Sequence, residues 1–335
     1  MRNIPIFFSF DDNYVIPAAV AFWSLLDRAR KDVSYDMYVL HHDISAENQR
    51  LLEGIVSEKG NATIRFMDTA GFLIDEWSSG NWEGHQSGTQ FTSDTLVRCF
   101  AARFFPKLDK IIYSDVDVVF RDDISDLWDF DVGDVYIAGV LDFLMKHSKT
   151  ELSHLKPEHY DMPKDSYIVG GIWVMNLRKI REDGIEAKML EVVKDDTIVK
   201  RWNDQDIVNI ACGGKVAFLP LNYISYPYLP GLLRDPSFTS HYSRDELYDS
   251  FINPKIIHYA SVKPWNGAPV RGDEWWAVHD YLRLPERAGI DNSRVTPLER
   301  RYRKLKKLLN ACRAAVVVLS LAAAALLALL LYSKT

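Results

Sequence analysis

The chain has 335 residues, 47% of them hydrophobic and 26% charged, the profile of a folded protein with a large core rather than a disordered or fibrous one. A formal net charge of -6 leaves no general basic field to hold a polyphosphate backbone, so nucleic acid is excluded as an expected partner. Three cysteines, Cys99, Cys212 and Cys312, have neither metal-ligand nor paired spacing and fit a reducing compartment.

Residues 4–10 form an apolar run closed by Asp11, Asp12 and Asn13, and a helical pattern through Ala18, Ala21, Phe22, Leu25 and Leu26 follows. No basic segment precedes a long apolar one here, so the start reads as a core strand and no secretory leader is expected. Residues 35–41 read as a second strand, 46–58 as a second helix and 62–67 as a third strand. Strands alternating with helices imply a parallel sheet with right-handed crossovers, in which ligands sit beyond the carboxyl ends of the strands. The loop starting at Asp11 is then placed for a nucleotide, although no glycine-rich phosphate loop is present. Residues 95–104 read as a helix, 110–114 as a buried strand, and 115–126 as an acidic stretch leading into a short amphipathic piece. Further strands are expected at 135–141, 168–176, 215–219 and 255–258, with a helix at 204–211. Residues 271–301, with Trp275, Trp276 and Tyr281, read as a helical appendage.

Near the carboxyl end, residues 314–332 are apolar except for Ser320; about 19 residues at ~1.5 Å rise each would cross a bilayer's hydrocarbon core. Arg300, Arg301, Arg303, Lys304, Lys306, Lys307 and Arg313 stand just before it. The positive-inside rule puts that flank, and the domain preceding it, on the cytoplasmic face, with a single-pass carboxyl-terminal anchor. The expected division is a catalytic domain at 1–268, a helical, basic juxtamembrane region at 269–313 and a membrane helix at 314–332.

The central chemical feature is Asp115-Val116-Asp117, set between the apolar runs 111–113 and 118–120. Carboxylates caught between buried runs need a compensating cation or donor. A divalent cation held there can bridge the phosphates of a nucleotide sugar and offset the charge of the departing diphosphate. The same Asp-x-Asp spacing recurs at Asp129/Asp131 and Asp204/Asp206, where a solvated strand end explains it as well. His258 ends the run 256–257 and is followed by Lys263-Pro264-Trp265; its imidazole can complete a metal site, and a core histidine is the competing reading.

Taken in order, these segments resemble glycosyltransferase family 8, which includes bacterial lipopolysaccharide galactosyl- and glucosyltransferases and the glycogenins. The resemblance covers roughly residues 3–265. It implies a Rossmann-like nucleotide-sugar transferase domain of the GT-A type, with a mixed, mainly parallel α/β sheet. It further implies Asp11, Asn13 and Tyr14 as uridine partners, Arg98 as a contact to donor sugar or diphosphate, and Asp142 as a holder of donor-sugar hydroxyls. Asp115, Asp117 and His258 become metal ligands, with manganese implied and magnesium the alternative. Lys263 becomes the diphosphate-contacting lysine, Asp204 a sugar contact, and Gln205 the residue nearest the reacting face. A helix N-cap remains an open reading for residues 11–13.

Two departures stand out: Val169 replaces the family's usual sugar-binding amide, and the segment from His258 to Lys263 is one residue shorter than its commonest version. The resemblance implies transfer of a hexose, galactose or glucose, from a UDP-sugar with retention of configuration. The expected acceptor is a glycan or a lipid-linked glycan. Competing readings are a membrane-tethered nucleotide-sugar binding protein, or a sugar-nucleotide hydrolase or nucleotidyltransferase. The histidines His147, His154 and His159 are too irregularly spaced for a metal site and read as a solvated loop, a candidate lid over the donor.

Overall fold

The computed structural model describes residues 2–72, 94–144, 165–198 and 200–285. Strand β1 (Arg2–Ser9) runs through a 3-10 turn, Asp12–Tyr14, into helix α1 (Val15–Arg28). Strand β2 (Val33–His41), helix α2 (Ala46–Lys59) and strand β3 (Ala62–Asp68) follow. Ser45 caps α2 by accepting from the Asn48 amide at 3.3 Å, and Gly60 ends it at φ 70°, a left-handed conformation that glycine adopts without a Cβ penalty.

The predicted helix at 95–104 is broken into α3 (Asp94–Val97), a 3-10 turn Arg98–Phe100 and α4 (Ala101–Phe104). The tighter turn coincides with Arg98 being tied sideways into the site described below. Strands β4 (Lys110–Ser114), β5 (Val118–Phe120), β6 (Ile137–Leu141) and β7 (Ile168–Asn176) follow, each buried along most of its length. The later part adds α5 (Leu177–Glu182), α6 (Ile185–Lys194), α7 (Asp204–Cys212), β8 (Val216–Phe218), α8 (Leu229–Leu233), α9 (Arg244–Ile252), β9 (Ile256–His258) and α10 (Gly272–Tyr281).

Seven strands form one sheet in the order β3-β2-β1-β4-β7-β6-β8. β1 pairs in parallel with β2 and β4, β2 with β3, and β6 with β8; β7 alone runs antiparallel to both its neighbours, β4 and β6. The sheet is therefore mixed and mainly parallel. Both faces are covered over β1, β4, β6 and β7, which therefore read as nearly continuous apolar runs, whereas β2 and β3 toward the edge alternate. Ile4, Ile6 and Phe8 pack with α1 on one face, whereas Phe7, Ile111 and Tyr113 meet α6 and α7 on the other. β5 and β9 form a separate antiparallel pair.

The described residues up to 285 belong to one compact unit. The boundary expected at residue 268 falls inside this unit. Trp275 of α10 is buried in its core, so this helix belongs to the packed domain and is not an appendage. Among the described residues no helix is long and apolar enough to cross a membrane. The apolar stretch 314–332, its basic flank and the histidines at 147, 154 and 159 lie outside the described residues.

Candidate active site

The carboxyl end of β4 delivers the acidic pair, and backbone pairing delivers the histidine. Val118, next after Asp117, lies opposite His258 in the β5–β9 register, and the Tyr259 amide donates to the Asp117 carbonyl at 2.9 Å. His258 Nε2 consequently lies 3.3 Å from Asp115 Oδ2 and 3.2 Å from Asp117 Oδ1. Among the described residues these three side chains form the one group whose ligand atoms, all within 4.8 Å of one another, could hold a metal ion.

The other two Asp-x-Asp pairs have structural work. Asp129 pairs with Arg2 and Asp131 accepts from the Gly133 amide at 2.9 Å. Asp206 accepts from the Tyr167 hydroxyl at 2.6 Å and the Trp202 amide at 2.9 Å, which secures the turn into α7.

A donor set of two carboxylates and one imidazole suits a divalent cation of the manganese or magnesium kind. Gly171 of β7 shapes this set. Its backbone carbonyl accepts from the Asp115 amide at 2.9 Å, its φ is +105°, and a Cβ there would lie 2.7 Å from His258 Nδ1. The glycine thus backs the imidazole against the carboxylates. The sequence does not single out Gly171, because closeness to residue 258 is not visible along the chain.

Two further cations close the site. Lys263 bonds Asp117, so the shortened segment after His258 still brings the lysine to the acidic pair. Arg98 bonds Asp115 and stands 3.6 Å from Asp204 Oδ2 through its Nε, and Tyr113 also donates to Asp115. Burial works to raise both aspartates, but Arg98 on one and Lys263 on the other outweigh it and hold them below the usual carboxylate range. Burial opposes a charged His258, yet the two carboxylates win and push the imidazole up to about 9. Burial raises Asp204 to about 6, against the pull of Arg98.

Asp204 and Gln205 begin α7, preceded by Asn203 at φ 43°, a left-handed value uncommon outside glycine. The Gln205 side-chain oxygen accepts from the Gly170 amide at 2.7 Å, which fixes this amide to β7 beside the acidic cluster. Val169, the departing residue, is packed in the core, and its carbonyl accepts from Trp173 Nε1 at 2.8 Å. Asp142 follows β6 and accepts from the Leu144 amide at 2.8 Å; burial, with Tyr228 and Asp142 adding to it, raises Tyr226, whose ring lies 5.4 Å from that of His258.

At the end of β1, Asp11 accepts from the Asn13 amide at 3.1 Å and its side-chain nitrogen at 3.2 Å. The N-cap reading of this segment is therefore realised. It leaves Tyr14 beside Trp265, with ring centres 6.1 Å apart, and near enough to Asp117 and Asp115 to feel their charge. Asp11, Asn13 and Tyr14 thus stand after β1, Asp115 and Asp117 after β4, Asp142 after β6, and Asp204 and Gln205 at the start of α7, whereas His258 ends β9, Lys263 follows it and Arg98 lies in the turn after α3.

A mainly parallel, doubly covered sheet carrying an acidic pair after its central strand defines the nucleotide-sugar transferase class of GT-A fold. The family described as Glycosyl transferase family 8 matches residues 5–268, and the chain belongs to that family. A putative glycosyltransferase of Haemophilus influenzae is 26% identical over 65% of this chain, and a lipopolysaccharide 1,2-glucosyltransferase of Escherichia coli is 24% identical over 82%. The matched parts span 62% and 75% of those relatives. The crystal structure of the galactosyltransferase LgtC in complex with donor and acceptor sugar analogues superposes with a TM-score of 0.66 at 25% identity. It covers 84% of this chain and 98% of LgtC.

Proposed function

We propose that this chain is a retaining, metal-dependent hexosyltransferase that moves galactose or glucose from a UDP-sugar to a glycan or lipid-linked glycan. The observation that carries the reading is the convergence of Asp115, Asp117 and His258 from two separate strands, flanked by Lys263 and Arg98. Family membership supports transfer. The likeness to a lipopolysaccharide 1,2-glucosyltransferase of Escherichia coli supports a lipopolysaccharide-type acceptor, and the donor and acceptor analogues bound to LgtC support a sugar-nucleotide donor.

Manganese, or magnesium in its place, would be held by Asp115, Asp117 and His258 and would offset the charge of the diphosphate. Lys263 and Arg98 supply fixed positive charge beside that position, and Asp11, Asn13 and Tyr14 form the floor for the uridine. Asp142 and Asp204 offer oxygen acceptors to the hexose hydroxyls. Among the described residues no carboxylate is placed as a free nucleophile: Asp204, the nearest candidate, is held by Arg98. Retaining hydrolases use two carboxylates ~5 Å apart for that task. We therefore assign front-face exchange. The bond from the anomeric carbon to the diphosphate oxygen breaks, the bond to the acceptor oxygen forms on the same face, and the acceptor's proton passes to the departing oxygen. Gln205, anchored by Gly170, stabilises positive charge at the anomeric carbon.

Residues 287–313 and 314–332 complete the proposal as a basic juxtamembrane region and a single-pass anchor that keeps the domain on the cytoplasmic face. Their composition supports this.

The test is a panel of UDP-sugars with manganese and an acceptor mixture, read by product. Transfer releases UDP together with a glycosylated acceptor. Hexose 1-phosphate would instead mark a nucleotidyltransferase, free hexose a hydrolase, and no product a binding protein. Gln205→Ala is expected to lower turnover by about 10²-fold while leaving donor affinity within about twofold. Undiminished turnover would remove Gln205 from the mechanism.

A further inference from the structure

Helix α10 lies beyond the stretch matched by the family, which ends at residue 268, yet its contacts run directly to the segment that carries Lys263. Lys263 through Asn266 form a tight turn in which the Asn266 amide donates to the Lys263 carbonyl at 3.2 Å. The Lys263 amide in turn donates to the Asn266 side chain at 3.2 Å. Pro264 at the second position suits this turn. Three bolts join the segment to α10. Trp276 Nε1 donates to the Pro264 carbonyl at 3.2 Å, the Trp265 ring lies 5.1 Å from that of buried Trp275, and the Tyr259 hydroxyl donates to the Arg271 carbonyl at 2.7 Å.

The entry to α10 is itself locked. Arg271 sits at φ 62°, a left-handed value for a non-glycine residue, and its side chain is held by Glu274 at 2.6 Å and by the Phe251 carbonyl. Glu274 also pairs with Arg121, just after β5, at 2.7 Å. The turn bearing Lys263 is therefore clamped from behind by α10, and α10 is clamped to the strand pair that sets His258.

We propose that α10 is a brace that holds Lys263 at the diphosphate position, with Trp276 a positioning residue for donor binding; this rests on the UDP-sugar reading above. Trp276 touches neither Asp115, Asp117 nor His258, so its effect must pass through the turn. It supplies one hydrogen bond to that turn, and the chain otherwise packs around Trp275.

The experiment uses the full chain and Trp276→Phe, which keeps a ring but loses the donor to Pro264. Tyr259→Phe, which removes the bond to Arg271, serves as the second variant. Hydrogen exchange of the segment 259–267 is read first, without nucleotide, and several-fold faster exchange there with β1 and β4 unchanged is expected. Unchanged exchange in both variants overturns the brace, whether or not the protein binds UDP.

Affinity for UDP and for uridine, each with manganese, is read second. Loss of one neutral hydrogen bond is expected to weaken UDP about fivefold and leave uridine unchanged, since only UDP reaches Lys263. Combining Trp276→Phe with Lys263→Ala should add nothing beyond Lys263→Ala alone. Equal losses for UDP and uridine, or additive effects, overturn the positioning role. Failure of the unaltered chain to bind UDP would overturn the donor reading, and the exchange result would still decide the brace.

Discussion

Replacing Gly171 by alanine tests the metal site through a residue that offers no ligand. A Cβ at this position would lie 2.7 Å from His258 Nδ1, 2.8 Å from His258 Cε1 and 2.8 Å from Ile224 Cδ1, on a backbone at φ +105°. Holding a non-glycine residue in such a conformation costs about 1–3 kcal/mol. Forcing one extra carbon into a packed site adds about 1–3 kcal/mol more. The variant should thus lose about 2–6 kcal/mol, enough to lower the melting temperature visibly, and it stays folded where the domain's stability lies in the upper part of the usual range of roughly 5–15 kcal/mol. The imidazole is the softer of the two obstacles, so it is displaced from its set position beside Asp115 and Asp117. Displacing a ligand's support commonly costs about 10- to 100-fold in metal affinity. Manganese titration followed by electron paramagnetic resonance of the free ion measures this at a temperature where the variant is folded. A folded Gly171→Ala protein with unaltered manganese affinity would refute the claim that β7 sets the histidine.

Acidity offers a second test. Because His258 is raised from its ordinary 6.5 to about 9, its contribution to metal-free stability is complete below 6.5 and is lost as pH rises through 9. Denaturation of metal-free protein should show a fall of at most about 3 kcal/mol across that window, absent in His258→Gln. Manganese affinity should move the other way, strengthening toward pH 9 as the cation ceases to compete with the imidazole's proton. Lys263→Ala should destabilise the metal-free protein by about 3–5 kcal/mol, because buried Asp117 loses its partner. The same change should tighten manganese binding without nucleotide and weaken UDP binding, seen by calorimetry of each ligand. Finally, a chain ending at residue 286 should fold and no longer sediment with anionic vesicles, whereas one ending at 268 should melt well below it, having lost Trp275 from the core.

The parallel half of the sheet was legible because β1, β2 and β3 alternate with helices whose periodicity and caps are local properties. Asp115 and Asp117 stood out because an apolar run flanks them on each side. The helices α5, α6, α8 and α9 went unread, since short amphipathic segments between better-marked strands carry weak signals. The break at Arg98 was also hidden: three residues change their hydrogen bonding where the arginine reaches Asp115 and Asp204, partners 17 and 106 positions away. Val169 looked like a loss at the sugar site from its place in the motif, and its side chain proved to be packed in the core.

The amino-acid order alone therefore determined which side chains could carry the chemistry, because burial pattern and residue type are written locally. It could not say that residue 258 meets residue 117, that glycine 171 stands behind that histidine, or that a helix past residue 271 props the lysine turn. Those are consequences of strand pairing and packing between segments far apart along the chain in the first two cases, and of a helix folding back on its own neighbour in the third. Register and packing of that kind are settled only when the whole core closes, since each contact depends on all the others being made.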